Sequence, residues 1–239
     1  MQHAGVMIIS GGQTGVDLAG LRAAQCLGYR TGGWAPAGYR TQAGPKPQLQ
    51  KTFKLKEYVG GYSARTRKNV DASCVTLILA ANTESAGTKL TITLCEELGV
   101  PYRVVMLEPN TMPGHLRYKV PDAWVQRNIL EWLKDESEKS LNEYGMFTIN
   151  VAGNSSTTAP GIFGAAFLFM VSLLGRLYIE GSRALGVPVD EAKIRLSQRL
   201  FDPNVAQALN DSFDYYPDLD PRNGASLLLT DEPFTKVVE

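Results

Sequence analysis

The sequence predicts an α/β protein, with a parallel β-sheet carrying helices on both faces and a mostly helical C-terminal extension. Three observations lead there. Short apolar runs alternate with segments of helical period over roughly the first 180 residues. The strand-like runs are almost continuously apolar, as strands buried on both faces are, and such strands belong to parallel sheets. Three of those runs end in a small, glycine-containing loop that leads towards a helical pattern.

Taken in order, residues 6–10 read as the first strand and 16–27 as its helix, which Gly28 terminates. Residues 31–35 form the next strand. They lead into a long connection holding Pro36, Gly38, Gly44, Pro45 and Pro47, of the kind that serves as a binding loop. Residues 75–80 are a buried strand, and 88–98 a helix stopped by Gly99, Val100 and Pro101. A strand at 103–107, a helix at 124–133 and a strand at 146–151 follow. The most apolar run, 162–174, contains Gly164 and Ser172 and is followed by Arg176. It is short for a membrane span and reads as a core helix.

Residues 1–178 are therefore expected to form the ligand-binding domain and 179–239 an extension packing on it or on a partner subunit. In the extension the helix continues over 176–185, Val187 and Pro188 break it, and 190–201 is a short amphipathic helix. A loop is expected at 214–221 and an edge strand at 227–229.

Charge and composition exclude several function classes. Of 239 residues 44% are hydrophobic and 20% charged, enough apolar surface for a sizeable core. Lys+Arg and Asp+Glu are equal at 24 each, so no global field draws the chain to a nucleic acid polymer or to a membrane. One basic stretch, Lys46, Lys51, Lys54, Lys56, Arg65, Arg67 and Lys68 against Glu57, reads as a solvated face or as a phosphate-facing rim. His3 and His115 are the only histidines and lie far apart, which argues against a histidine triad or a metal cluster. Cys26, Cys74 and Cys95 sit in apolar segments without C-x-x-C spacing, as reduced core cysteines do. The start of the chain lacks a basic flank and cleavage site, so a cytoplasmic location is expected.

The chemistry concentrates in the post-strand loops. Gly11, Gly12, Gln13, Thr14 and Gly15 join a strand to a helix that opens near Asp17, an arrangement suited to receiving an anion on backbone N–H groups. The spacing is neither a Walker A loop nor a full G-x-G-x-x-G. The second loop, 81–88, ends in Gly87 and Thr88, and the third, 152–161, begins with Ala152, Gly153, Asn154 and Ser155. In a parallel sheet all three converge at the carboxyl ends of the strands, where their N–H and O–H donors suit phosphate oxygens. Asp17 reads as a dipole-compatible residue, or as an acceptor from a ligand hydroxyl or from Gln13. Trp34 is a candidate for stacking on a flat heterocycle.

The strings SGGQTGVDLAGLRAA, GGWAPAGYRTQAGP, RKNVD at 67–71, AGTKLTITLCEELGVP and INVAGNSSTTAPGI resemble the molybdenum carrier family, the circularly permuted branch of the SLOG superfamily. The resemblance runs from about residue 6 to about residue 177. It implies a Rossmann-like fold, a homo-oligomer (dimer or tetramer), and a pocket for a phosphorylated small molecule, either a nucleotide or a pterin such as molybdenum cofactor. It adds Arg67 and Asn69 to the ligand-binding candidates. The same superfamily holds the cytokinin-activating phosphoribohydrolases, whose G-G-x-G-T-x-x-E motif is similar around Gly87 and Thr88. Where those enzymes carry glutamate, this chain has Thr91, whose hydroxyl cannot replace a carboxylate at an oxocarbenium-like centre. The expected function is therefore a non-catalytic carrier or sequestering protein. The alternative is a nucleotide N-glycosidase acting on a nucleoside monophosphate.

Overall fold

The computed structural model describes residues 5–112, 116–141 and 145–200. Its centre is a five-stranded sheet built from β1 (Val6–Ile9), β2 (Arg30–Gly32), β7 (Val75–Ala80), β8 (Tyr102–Met106) and β9 (Phe147–Gly153). The strand order is β2-β1-β9-β7-β8 and every pairing is parallel. All six residues of β7 are buried, as a strand covered on both faces requires.

The period-two alternation of the strands sorts their side chains between two helical layers. Ile8, Leu77, Leu79, Phe147, Ile149 and Val151 join the main core with α1 (Val16–Cys26), α5 (Ala123–Lys139), α6 (Ile162–Ala184) and α7 (Val189–Leu200). The opposite face carries α3 (Gly61–Asp71) and α4 (Ala86–Leu98), which pack together through a small cluster of Val70, Leu94 and Cys95. The expected α/β fold, with a parallel sheet and helices on both faces, is what the chain forms.

The single strand expected at 31–35 is two strands. At Gly33 the backbone takes φ +115°, and a Cβ there would lie 2.3 Å from the Ser10 carbonyl oxygen. The chain therefore leaves the main sheet after β2. It starts a separate two-stranded parallel sheet from β3 (Trp34–Pro36) and β6 (Lys56–Tyr58). The connection expected to be irregular is also more ordered than its composition suggests. It contains a 3-10 turn at Ala37–Tyr39, a hairpin of β4 (Arg40–Thr41) and β5 (Gly44–Pro45), and the short helix α2 (Gln48–Phe53). Leu49, Phe53, Leu55, Tyr39 and Ala35 close over Leu21 of α1 and hold this excursion to the body of the protein.

Helix α6 runs unbroken from Ile162 to Ala184, in line with the continuation expected over 176–185, so the boundary placed at 178 falls inside it. At 23 residues it is long and apolar enough to cross a membrane, yet 83% of its most apolar stretch is buried within the protein. It is the central core helix, lying against α1, α5 and α7. Helix α7 begins one residue before the expected 190–201 segment and buries Ala192, Leu196 and Leu200 in the main core. Arg199 of α7 donates to the Leu27 carbonyl at 2.6 Å, tying the helix to the end of α1. The expected loop at 214–221, the strand at 227–229, and both histidines lie outside the described residues.

Candidate functional site

Because β1, β9 and β7 are adjacent and parallel, the loops leaving their carboxyl ends meet. Between them, walled by α3 and α4, is a cavity of about 330 Å³. Its lining includes seven of the thirteen residues the sequence nominated: Gly11, Gln13, Asp17, Asn69, Gly87, Gly153 and Ser155.

The loops are locked together by their own groups. Asn154 is the brace: its Oδ1 accepts from the amides of Ala81 (2.8 Å) and Asn82 (2.9 Å). Its Nδ2 lies 2.8 Å from the Asn82 carbonyl, 2.9 Å from Ser85 Oγ and 3.0 Å from Thr88 Oγ1. The first loop joins the third where Val16 donates its amide to the Asn154 carbonyl at 3.2 Å. Gly15 makes that approach possible. It has φ +86°, and a Cβ would fall 2.5 Å from the Asn154 oxygen and 2.7 Å from the Ser156 nitrogen, both backbone atoms.

Several candidate residues thus hold the site together without lining it. Asn154 and Thr88 are buried in the brace. Gly12 (φ +71°) faces Leu49 and Leu55 of the satellite core, so it serves packing. Thr14 is not among the residues that line the cavity. Trp34 is also outside it: the Lys68 ammonium sits 5.3 Å above its ring, and its backbone N–H and carbonyl are both bound by Asn69 at 2.9 Å. Arg67 projects to solvent and pairs with Glu97 at 2.5 Å. Two lining amides are engaged in the same way. Asn69 clamps Trp34, and the Gln13 side chain donates to the Arg40 carbonyl and accepts from the Gln42 amide, each at 3.1 Å.

The cation the sequence did not single out is Arg65. It stood among seven basic residues, and its nomination required the α3 spacing of Tyr62, Arg65, Thr66 and Asn69 to be recognised as one helix face. Arg65 lines the cavity with nine-tenths of its side chain buried. Its Nη1 stands 3.6 Å from Asp17 Oδ2, and its Nε has no hydrogen-bond partner among the described residues. Gly11 leaves room for it, since a Cβ there would fall 1.6 Å from Arg65 Nη1. Asp17 also accepts from the Gln13 amide at 3.2 Å. Burial pushes the Asp17 carboxyl above its ordinary range, with Arg65 and the loop hydrogen bonds pulling the other way.

The first turn of α4 also lines the cavity, through Ala86 and Gly87, with no side-chain cap from Ser85 to the helix N–H groups. Gly87 offers only backbone to the cavity, and a helix N-terminus favours negative charge. Thr91 also lines the cavity, with its hydroxyl donated to the Gly87 carbonyl at 3.0 Å. Among the described residues no cluster of three His, Cys, Asp or Glu side chains is placed to hold a metal ion.

The sequence profile of the circularly permutated YpsA SLOG family matches residues 8–174. A solved structure titled "Putative molybdenum carrier protein", from Syntrophus aciditrophicus SB, is 27% identical, with 70% of this chain and 92% of that chain covered and a TM-score of 0.49. No curated protein matches. The profile match takes in the central strands and all three loops that enclose the cavity, and the chain belongs to the circularly permutated YpsA SLOG family.

Proposed function

We propose that this protein is a non-catalytic binder of a phosphate-bearing small molecule, nucleotide-like or pterin-like, acting as a carrier or a sequestering protein in the cytoplasm. One observation carries this reading. A buried arginine, only loosely paired and with an Nε that has no partner among the described residues, faces a cavity that also receives the uncapped start of α4. Burying a guanidinium costs several kcal/mol unless its hydrogen bonds are completed, and an incoming anion completes them. A pterin that arrives with its metal already chelated needs no protein thiolate, and the three cysteines are free thiols suited to a reducing compartment.

Native mass spectrometry of the purified chain, together with thermal shift against nucleoside mono-, di- and cyclic phosphates and pterins, tests the proposal. A co-purifying phosphorylated molecule or a shift with one of these compounds is expected. Arg65→Ala should weaken that binding by about thirtyfold or more, the scale of a lost charge-assisted contact. Arg67→Ala should leave it unchanged. The absence of any ligand and any shift would overturn the proposal.

The alternative, nucleotide N-glycosidase activity, draws on Asp17, a carboxylate in the cavity beside Arg65 with its pKa raised. Against it stands Thr91, hydrogen-bonded to its own helix where a catalytic carboxylate is expected. Release of free base from a nucleoside monophosphate, lost in Asp17→Asn, would favour the enzyme.

A further inference from the structure

Along α3, exposure falls with depth. Tyr62 in the first turn is 53% exposed, Arg65 one turn on is 8% exposed, and Asn69 a further turn on is 2% exposed. All three line the cavity, so its mouth is aromatic and its interior cationic. Leu90 of α4, half-buried, adds apolar surface to the wall. The entry to α3 is built from Gly60 (φ +155°) and Gly61 (φ +80°), conformations that side-chain-bearing residues rarely adopt. This turn sets Tyr62 at the rim, and the hydrogen bond from Thr66 Oγ1 to the Tyr62 carbonyl at 2.9 Å secures the first helical turn. Tyr62 is a large, largely exposed aromatic that the core does not use.

We infer that the cavity binds its ligand end-on, the anionic group lodged inward on Arg65 and a flat heterocycle of the same molecule stacked on Tyr62 at the mouth. The inference rests on the binding function proposed above and narrows it to compounds carrying both groups. Tyr62 and Arg65 are about one helical turn apart, roughly 5 Å along the axis, a separation that a single sugar-like spacer bridges. The cavity volume of about 330 Å³ suits one ring and one phosphate, not two nucleotides. Stacking on a phenol ring tolerates many bases, so Tyr62 selects for a planar ring without choosing its edge pattern. Trp34, the aromatic the sequence favoured for this task, is already covered by Lys68.

Isothermal titration of the full chain with inorganic phosphate, ribose 5-phosphate, AMP and GMP separates the two ends. Tyr62→Ala should weaken AMP and GMP by about tenfold and leave ribose 5-phosphate unchanged, while Tyr62→Phe retains wild-type affinity. Arg65→Ala should weaken all of them. Thermal unfolding of Tyr62→Ala, expected at the wild-type temperature, excludes a folding defect. If the wild type binds the nucleotides and Tyr62→Ala binds them equally well, or loses ribose 5-phosphate in equal measure, the end-on arrangement is wrong and the binding function stands. If the wild type binds none of the four, the end-on arrangement fails, and the binding function is decided by the co-purification and thermal-shift tests above.

Discussion

Arg65 and Asp17 face each other 3.6 Å apart with about a tenth of each side chain exposed, a separation long for a hydrogen bond and short for a Coulomb pair. An anion placed on Arg65 adds negative charge beside Asp17, whose carboxyl burial already holds above its ordinary value of 3.8. The charged or polar groups acting on it are the Arg65 guanidinium from α3 and, from the first loop, the Ser10 hydroxyl and the amides of Gly11 and Gln13. Ligand binding should therefore take up a proton, and affinity should rise as the pH falls from neutral towards the raised pKa. The apo protein follows the same sign. A carboxyl whose folded pKa is raised contributes stability below its unfolded value, and that contribution is lost as the pH rises through the folded one. Titrations of a monophosphate in two buffers of different ionisation enthalpy would show the uptake. Asp17→Asn should abolish it, which separates the effect from the phosphate's own titration near pH ~6. The sequence could name Asp17 and Gln13 but not whether their polar atoms were already engaged. Gln13, Asn69 and Asn154 are all clamped to distant backbone, with partners 27 to 73 residues away that no local pattern reveals. Arg65 was hidden for a related reason: burial of one cation among seven depends on the helix phase of α3, which two glycines set.

The strand–loop–helix elements were far easier to read, because each carries its own punctuation. The β7 run, the α4 helix ended by Gly99 and the core helix α6 all follow from apolar period and stop signals within the element. The break at Gly33 did not, since its cause is the Ser10 carbonyl, just past the end of β1. The joining of loops is likewise a property of pairs of elements, and Asn154 tests it. Asn154→Ala removes the acceptor for the Ala81 and Asn82 amides and the donor to the second loop. The expected cost is about 3 kcal/mol in urea denaturation, dominated by amides left without partners. Ligand affinity should fall with it, as the loop after β7 is released from the loop after β9. A stability change within about 0.5 kcal/mol would show that the loops hold their places without the brace.

For the molecule as a whole, α7 decides how many cooperative units the described residues form. Its Ala192, Leu196 and Leu200 enter the same core as α1, α5 and α6. Leu196→Ala should lower global stability by about 2–4 kcal/mol, with fluorescence and circular dichroism reporting one coincident transition. Two transitions, with only the weaker one shifted, would mark the region after α6 as a separate unit.

The place of β9 has a consequence for how the protein is made. Among the described residues it is the last strand of the sheet in sequence, yet it lies between β1 and β7, so the two halves of the sheet share no strand pairing until it arrives. A ribosome that has released only the first 140 or so residues has delivered two apolar strand edges and no partner for either. Ligand capacity should thus appear late and abruptly during synthesis, and truncation before β9 should yield aggregate instead of a smaller working protein.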